Sequence, residues 1–459
     1  MAKRLMRRQA ATSKGLVRRL REVPLSMLRD ERCRAKYQLE GVVRLGILTL
    51  ASGGNSQREF EARSEQLVDR ATSTMLGFGG ERIADNTFGA LLPRVDAGQL
   101  RDALHAMVKA EHRRGTFGGT LHDRRVVALD GKVLAPVRLR SLVSAARGAL
   151  RAVNDPRSTE ASWAPDVDEL RRVLKAAGME YVQLVSPSKG PVYGLIRMHR
   201  WTLVSSGAAV GIDERPLDGT ANEVGSAVES FDQLISAYGR TGLFNTVTAD
   251  AGNTSLALAK RIAERNMAYF LCIKTPQGEI FREAKRLLQG RASPDYSVSE
   301  DNRGKDITYR VYTAPLDGDW HGWVHARQLV RIERIVSSRG GTEESRGNRY
   351  YVTSLTPEAL PGLGAATLSR GHWRCENEGH WTADAIFFED AHRAPLSRHP
   401  KGMLVGSLLR MMAQNLLAIL RTLSRTRDGD KPAWRTVRHH ILMLLFDTVL
   451  DTGEFDAAA

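Results

Sequence analysis

Cysteine is scarce in this sequence. Three occur among 459 residues, Cys33, Cys272 and Cys375, and they are far apart in the chain. Because they form no paired motif, they exclude a disulfide framework and a cysteine-based structural zinc site, and they suit a reducing cytosol. The basic start of the sequence is followed by no apolar run of signal-peptide length. We therefore expect a cytoplasmic protein.

Long uninterrupted apolar runs are also missing. The longest apolar stretch, residues 404–423, is broken by Arg410, Gln414 and Asn415. Its leucine, isoleucine and methionine residues fall close to one helical stripe, which is typical of a helix that packs against a core or another subunit. We therefore predict a buried helix here and no contact with a membrane.

Acidic residues are outnumbered by basic ones. The chain has 52 Asp and Glu against 67 Lys and Arg, which gives a formal charge of +15 and a pI near 9.9. Such an excess favours a nucleic-acid partner over a membrane surface, although a basic surface can also serve solubility alone. The length exceeds what one compact core usually supports, so we expect two or three structural units.

Two aspartates follow short runs that have the composition of buried strands. Asp130 and Asp250 each come after four apolar or β-branched residues, so we expect a carboxylate at the end of each strand. Both positions also have an ordinary interpretation. Asp130 and Gly131 form a dipeptide that strongly favours a hairpin turn. Asp250 could be a loop residue before a helix that is capped by Asn253 or Thr254.

A third acidic position lies in the most informative stretch of the chain, residues 369–390. If this stretch is helical, His372, Glu376 and His380 share one face, with a tryptophan beside each histidine. Two histidines at that spacing could also hold zinc or pack against a core. Together with the two aspartates, however, Glu376 completes a set of carboxylates. Two divalent ions about 4 Å apart on such oxygens can clamp both oxygens of a phosphodiester displacement.

The three segments resemble the signatures of DDE insertion-sequence transposases of the H-repeat-associated type. Further segments similar to that family occur in the same order, at residues 85–89, 222–224, 269–277 and 349–355. The resemblance spans most of the chain, from about Asp30 to Leu423. It implies an α/β fold with a ribonuclease-H-like catalytic core, interrupted by a β-rich insertion and preceded by a helical N-terminal domain.

The resemblance also implies the chemistry. Asp130, Asp250 and Glu376 are expected to be the catalytic residues and to bind two Mg²⁺ ions, with Mn²⁺ able to substitute. One ion would activate water or a 3′-hydroxyl as the nucleophile, and the other would stabilise the departing oxygen.

The glutamate's helix departs from the broader DDE pattern. Related transposases often carry tyrosine and arginine upstream of the glutamate and lysine downstream, where this chain has Ser369, His372 and Ala383. The narrower family's pattern suggests that Arg370, His372 and His380 contact phosphate instead. Because magnesium prefers oxygen to imidazole, we favour phosphate contact over metal binding for the histidines.

The sequence pattern divides the chain into five parts. They are a helical N-terminal region for DNA binding and dimerisation (1–120), the first part of the catalytic core (121–280), a β-rich insertion (281–355), the second part of the core (356–425) and a C-terminal tail (426–459). Within the core, segment 138–182 is longer than the resemblance leads us to expect and has no assigned role. In the resembling family the insertion sits over the active site and touches DNA.

Five side chains are predicted to contact DNA: Lys132, Lys274, Gln277, Arg18 and Arg19. A polar turn after a strand explains Lys274 and Gln277 equally well. The arginines of the first twenty residues could form a solvated, disordered arm. Those of the insertion could simply line a solvent face.

The sequence therefore predicts a DNA transposase that binds the terminal repeats of its own insertion sequence, cuts there and joins the freed 3′ ends to a target. Its expected partner is double-stranded DNA, bound by a homodimer at the bacterial nucleoid. One alternative is a metal-dependent nuclease of the same fold that cuts without joining, for instance in defence. Another is a domesticated DNA-binding protein without catalysis.

Overall fold

A computed structural model describes residues 15–30, 32, 35–68, 77, 81–160, 163–220, 223–302, 304–338, 341–390, 396–425 and 430–445. The arginines before position 15, Cys33, Asn222 of a family-like segment and much of the predicted tail at 426–459 lie outside the described residues.

The described helices are, in chain order, α1 (15–22), α2 (Leu39–Ala51), α3 (Gln57–Gln66), α4 (Asp85–Leu91), α5 (Ala97–Arg113), α6 (Leu139–Ala152), α7 (Val167–Ala176), α8 (Glu223–Tyr238), α9 (Leu256–Glu264), α10 (Glu279–Leu288), α11 (Gly362–His372), α12 (Trp381–Ala385), α13 (Pro400–Leu423) and α14 (Trp434–Leu445). Short 3-10 turns occur at Leu25–Met27, Leu92–Arg94, Pro156–Ser158 and Thr275–Gln277, and a π-helical turn, Cys375–His380, joins α11 to α12.

The described strands are β1 (Val126–Val133), β2 (Val137–Arg138), β3 (Val182–Val185), β4 (Tyr193–Leu203), β5 (Val210–Pro216), β6 (Thr246–Ala249), β7 (Ala268–Ile273), β8 (Tyr296–Asn302), β9 (Lys305–Pro315), β10 (Gln328–Ser338) and β11 (Glu343–Thr353). They form one mixed sheet in the order β2-β4-β1-β6-β7-β11-β10-β9-β8, with β3 and β5 also paired to β4. β1, β6 and β7 are mutually parallel, whereas the other pairings are antiparallel. The predicted α/β class is therefore confirmed.

Helices cover both faces of the centre of this sheet. Leu129 belongs to a core that includes α2, α5 and α13, whereas Ala128 belongs to a second core with α11. The two residues separate in this way because successive side chains of a strand point to opposite faces. Asp130, two residues after Ala128, therefore points to the face that α11 and the π-helical turn cover.

The apolar helix at 404–423 is the buried helix predicted from its pattern. α13 is long and apolar enough to cross a membrane, yet 94% of its apolar window is buried inside the protein. Two of the polar residues that interrupt it bond to neighbouring backbone. Asn415 Nδ2 donates to Gly211 O at 2.6 Å, and Gln414 Nε2 donates to Gly379 O at 3.0 Å. These bonds satisfy amides that burial would otherwise leave unpaired.

The insertion extends the central sheet and does not form a separate layer. Four residues of β11, Tyr350 to Thr353, pair with β7, and β10, β9 and β8 follow in turn. The insertion therefore continues the sheet, and its position over the active site, as in the resembling family, stays a prediction. Residue 281, where we place its start, lies inside α10, and its first strand begins at Tyr296.

The unassigned segment at 138–182 forms a small core of its own. Leu142 and Leu150 of α6 meet Leu170 and Leu174 of α7, and this cluster packs against β3 and β4. One residue of α13, Leu404, joins the same cluster. The segment thus packs against the side of the sheet where β2 and β3 pair with β4.

Candidate active site

The two predicted aspartates lie on neighbouring parallel strands. Leu129 of β1 and Ala249 of β6 are in register. Asp130 is the residue after Leu129, and Asp250 is the residue after Ala249. The hairpin alternative for Asp130 is excluded, because β1 continues through it to Val133 and pairs it with a residue of β4. The expectation that Asp130 ends its strand is also wrong, since only the parallel pairing to β6 ends there. Asp250 does follow the last residue of β6.

Asp250 is held by the loop that follows it. Its Oδ1 accepts hydrogen bonds from the backbone N of Asn253 at 3.1 Å and from the Nδ2 of that residue at 2.7 Å. The next helix, α9, is capped by Ser255, not by Asn253 or Thr254 as we predict from the sequence. Asn253 instead fixes the carboxylate.

Gln277 supports the same loop from a neighbouring turn. Its Nε2 donates to Ala251 O and Thr254 O, both at 3.0 Å, and its Oε1 accepts from Lys274 N at 2.8 Å. The predicted DNA contact for Gln277 must therefore be corrected, because both ends of its amide are used to hold the Asp250 loop.

The segment around Glu376 is helical, but it is not one regular α-helix. α11 ends at His372, and the chain then makes the π-helical turn before α12 begins. This turn is wider than an α-helical turn, so its side chains follow a different angular spacing from those of α11. Cys375 and Gly379 are buried, whereas Glu376 is exposed. The expectation of one regular helix through His372, Glu376 and His380 is therefore wrong, but all three side chains stay near the aspartates. His372 and Glu376 lie near Asp250, and His380 lies near Asp130.

The two histidines contact residues of different strands. His372 is 2% exposed, and its Nδ1 lies 3.3 Å from Thr248 Oγ1 of β6. The Nδ1 of His380 lies 3.4 Å from Asp130 Oδ2. Each Nε2 is buried and has no hydrogen-bond partner among the described residues.

Both imidazoles are neutral. Burial lowers the pKa of His372 to about 4, and burial with the charges of Arg200 and Lys132 lowers the pKa of His380 to about 3. With 2% of its surface exposed and its Nδ1 against Thr248, His372 is out of reach of a phosphate, so its predicted phosphate contact must be corrected. Its place is beneath the site, against β6.

The three carboxylates interact electrostatically. Burial raises the pKa of Asp130 to about 7, and the charges of Asp250 and Glu376 add to that rise. Burial also raises the pKa of Glu376, with Arg349 acting against the rise and Asp250 adding to it. As they stand, no group of three or more His, Cys, Asp and Glu side chains in the described part of the chain is positioned to hold a metal ion. The arrangement is thus a cluster of mutually repelling anions and not a closed metal cage.

The carboxylate oxygens nevertheless fit a hard divalent cation by their chemistry. Asp130 Oδ2 receives only a contact from the Cys375 thiol at 3.7 Å and the imidazole contact already described, and its Oδ1 accepts from Gly131 N at 2.9 Å. No Lys or Arg in the described residues lies within ion-pair distance of Asp130, Asp250 or Glu376. A cation would relieve their repulsion, and oxygen ligands are what Mg²⁺ prefers.

Most of the nearby basic side chains are already paired. Lys132 is 8% exposed, and its Nζ lies 2.5 Å from Asp384 Oδ1 and 2.8 Å from Glu389 Oε2. Arg370 pairs with Glu300 of β8. The DNA contact predicted for Lys132 must be corrected, because its charge is buried and neutralised. Arg370 faces the insertion and not the carboxylates.

The arginines of α1 behave differently from one another. Arg18 is exposed, as its predicted DNA contact requires. Arg19 is 8% exposed and its Nε lies 3.0 Å from Glu111 Oε1 of α5. The DNA contact predicted for Arg19 must therefore be corrected to a buried ion pair that joins two helices. Lys274 is exposed beside the Asp250 loop.

Side chains of β11 complete the site, and the motif pattern did not single them out. Tyr351 Oη lies 2.8 Å from Ser369 Oγ of α11, which ties β11 to the helix that leads into the π-helical turn. Arg349 stacks on Trp373, with its Cζ 3.8 Å from the ring centroid. The only sequence signal for them was the family-like segment at 349–355, which gave no individual role.

Comparisons with known proteins confirm the resemblance to H-repeat-associated transposases. The chain is 26% identical over 187 residues to the H repeat-associated putative transposase YhhI of Escherichia coli strain K12, and equally to the putative protein YbfL of that strain. Each match covers 38% of this chain and 46% of the relative, so it spans less than half the length of either relative. No family model matches the chain.

One solved structure, the piggyBac transposase in a synaptic complex with hairpin DNA, aligns with 96% of this chain and 80% of its own. The TM-score is 0.40 at 12% sequence identity. A similarity of this size does not establish a shared fold.

Proposed function

We propose that this protein is a DNA transposase that cuts and joins DNA at a site built from Asp130, Asp250 and Glu376. The observation that carries the proposal is the convergence of these carboxylates. Two follow residues that are in register on parallel strands, the third lies on the π-helical turn against β1, and all three are coupled electrostatically. Anions brought together with no Lys or Arg of the described residues at ion-pair distance are a costly arrangement that a structural role does not explain.

The three carboxylates would hold two Mg²⁺ ions, which Mn²⁺ can replace. When bound, the ions would activate a water or 3′-hydroxyl and stabilise the departing oxygen of the phosphodiester. The protein's own contribution is positioning. Asn253 and Gln277 fix the Asp250 loop, and Cys375 and His380 pack against Asp130. Glu376 is exposed, so its side chain is free to turn toward the aspartates.

The centre of the sheet supports a ribonuclease-H-like core. Three antiparallel strands, β5, β4 and β1, are followed by β6 and β7 parallel to β1. Both aspartates then lie at the carboxyl end of the parallel pairing between β1 and β6. This order supports the catalytic fold that the sequence resemblance implies.

The partner would be double-stranded DNA, at the ends of the protein's own element and at the target. The formal charge of +15 supports such a polyanionic partner. One relative is an H repeat-associated putative transposase, and on that similarity we place the action of this protein at the ends of its own element. A DNA-bound homodimer that acts at the nucleoid in the cytoplasm completes the proposal.

A nuclease of the same fold is the second candidate, because the site would cut DNA in both cases. The test incubates the protein and Mg²⁺ with duplex DNA that carries the sequences flanking its gene. A transposase yields cut ends and also products joined to a second duplex, whereas a nuclease yields cut ends alone.

Two variants of neighbouring residues sharpen this test. Glu376→Gln should lower cleavage by roughly 10²-fold or more. Glu378→Gln, on the same turn but paired with Arg374 at 2.7 Å, should leave it within a few-fold. Binding without any cleavage by the wild-type protein would favour the domesticated, non-catalytic alternative.

A further inference from the structure

Arg349 differs from the other basic residues around the carboxylates. Lys132, Arg370 and Arg374 are each neutralised by a carboxylate within ion-pair distance. Arg349 is exposed, and among the described residues no carboxylate lies within that distance of it. It therefore retains its full charge and its hydrogen-bond donors for a ligand.

The backbone fixes Arg349 close to the catalytic turn. It immediately precedes Tyr350, which pairs with Ile273 at the end of β7, and on β10 it faces Ile332. Arg349 and Tyr351 are two residues apart, so they project from the same face of β11. Tyr351 is buried and bonds to Ser369 of α11, and this contact places the Arg349 side chain over the following turn.

An aromatic ring holds the guanidinium in place. Its Cζ lies 3.8 Å from the ring centroid of Trp373, three residues before Glu376. Stacking orients the planar group and leaves its edge free to donate hydrogen bonds. The guanidinium charge also reaches the site, since burial raises the pKa of Glu376 and Arg349 opposes that rise.

We propose that Arg349, stacked on Trp373, binds a phosphate of the DNA strand that lies beside Glu376. This inference rests on the proposed function and adds to it a residue supplied by the insertion. A planar guanidinium matches two phosphate oxygens in a fork, and such a charge-assisted pair is among the stronger polar contacts in proteins. The insertion would thereby deliver a substrate-binding group to the carboxylates.

The first measurement is cleavage of the flanking-sequence duplex at saturating DNA. Arg349→Gln should lower the rate by about 100-fold, whereas Arg349→Lys should recover part of it, because lysine keeps the charge but not the planar fork. The control is Arg172→Gln, which removes an exposed arginine of α7 and should leave the rate unchanged. Because Arg349 is exposed, the melting temperature of its variants should match that of the wild type.

The second measurement needs no cleavage. Trp373 is one of seven tryptophans, so its signal is the difference in fluorescence between the wild type and Trp373→Phe. A short DNA duplex added without Mg²⁺ should change this signal in the wild type and in Arg172→Gln. The change should be lost in Arg349→Gln.

The outcomes separate the two proposals. If the wild type cleaves and Arg349→Gln cleaves equally well with an unchanged Trp373 response, the role of Arg349 is wrong and the proposed function stands. If the wild type binds without cleaving, and the Trp373 response depends on Arg349, the contact holds and the proposed function fails. If DNA does not change the Trp373 fluorescence of the wild-type protein, the proposed contact is wrong.

Discussion

Asp130 and Asp250 follow directly on Leu129 and Ala249, which are in register across the parallel strands β1 and β6. The backbone ladder thus places two carboxylates side by side before any ligand is present. Their repulsion, with that of Glu376, is part of what raises the pKa of Asp130 to about 7.

Neutralising Asp130 should therefore separate stability from activity. Asp130→Asn removes a buried charge that its neighbours repel, so the free energy of unfolding in metal-free buffer near pH 8 should rise, by about 1 kcal/mol or more. Cleavage should be lost. Mg²⁺ should raise the melting temperature of the wild type and should do so much less in the variant. Equal metal stabilisation of the two proteins would remove Asp130 from the metal site.

The hold of Gln277 on the Asp250 loop gives a second prediction. Gln277→Ala removes two donated hydrogen bonds and one accepted bond, so we expect a loss of about 1–3 kcal/mol in the free energy of unfolding and a lower cleavage rate. Gln277→Glu keeps the acceptor for Lys274 N and loses the donors, so it should also cut slowly. Urea denaturation and the duplex assay measure both effects. A Gln277→Ala variant that loses DNA affinity alone would restore the DNA-contact interpretation.

A buried ion network beside the site is the basis of the third prediction. Glu389 is 6% exposed and pairs with both Lys132 and Arg200, at 2.8 and 3.1 Å. Glu389→Gln removes the carboxylate whose charge Lys132, Arg200 and the buried Arg410 share, which should cost about 3–5 kcal/mol in urea denaturation. The adjacent Asp390 is exposed, so Asp390→Asn should cost less than about 0.5 kcal/mol. Similar losses for the two variants would contradict the network's role.

The fourth prediction concerns the stability of the protein at low pH. Burial by itself would raise the pKa of Asp213, but the hydrogen bond from His105 and the nearby positive charges outweigh it and lower the pKa below the usual range. A carboxylate whose folded-state pKa is lowered stabilises the protein above its unfolded-state pKa of about 3.9 and loses that contribution as the pH falls through the folded-state value. The stability difference between the wild type and Asp213→Asn should therefore be largest above pH ~5 and shrink toward pH ~3. A difference that does not change with pH would contradict this assignment.

Neighbouring arginines of α1 supply the fifth prediction. If Arg18 contacts a phosphate, Arg18→Gln should reduce the slope of log affinity against log salt by about 0.9. Arg19→Gln breaks the buried pair with Glu111, so it should lower the melting temperature instead. Anisotropy titrations between ~50 and ~200 mM salt, together with thermal melts, distinguish the two effects. An unchanged slope in Arg18→Gln would mean that this arginine faces solvent only.

The sequence predicted the helices and strands better than the turns that connect them. The four residues before each aspartate form strands because β-branched and apolar side chains suit a strand that is buried on both faces. The π-helical turn was missed because a wider turn leaves no mark on the spacing of His372 and His380, which suits an α-helix equally well. Burial depended on partners distant in the chain. Arg18 and Arg19 are identical in type, and only the position of Glu111 distinguishes the exposed one from the buried one.

The continuity of the sheet from β1 to β8 has a mechanical consequence. Each strand is joined to the next by backbone hydrogen bonds, and the insertion enters this series through the pairing of β11 with β7. A hinge between insertion and core would have to break the hydrogen bonds of that ladder, which oppose independent movement of the two. DNA gripped by the insertion would therefore be held at a fixed distance from the carboxylates.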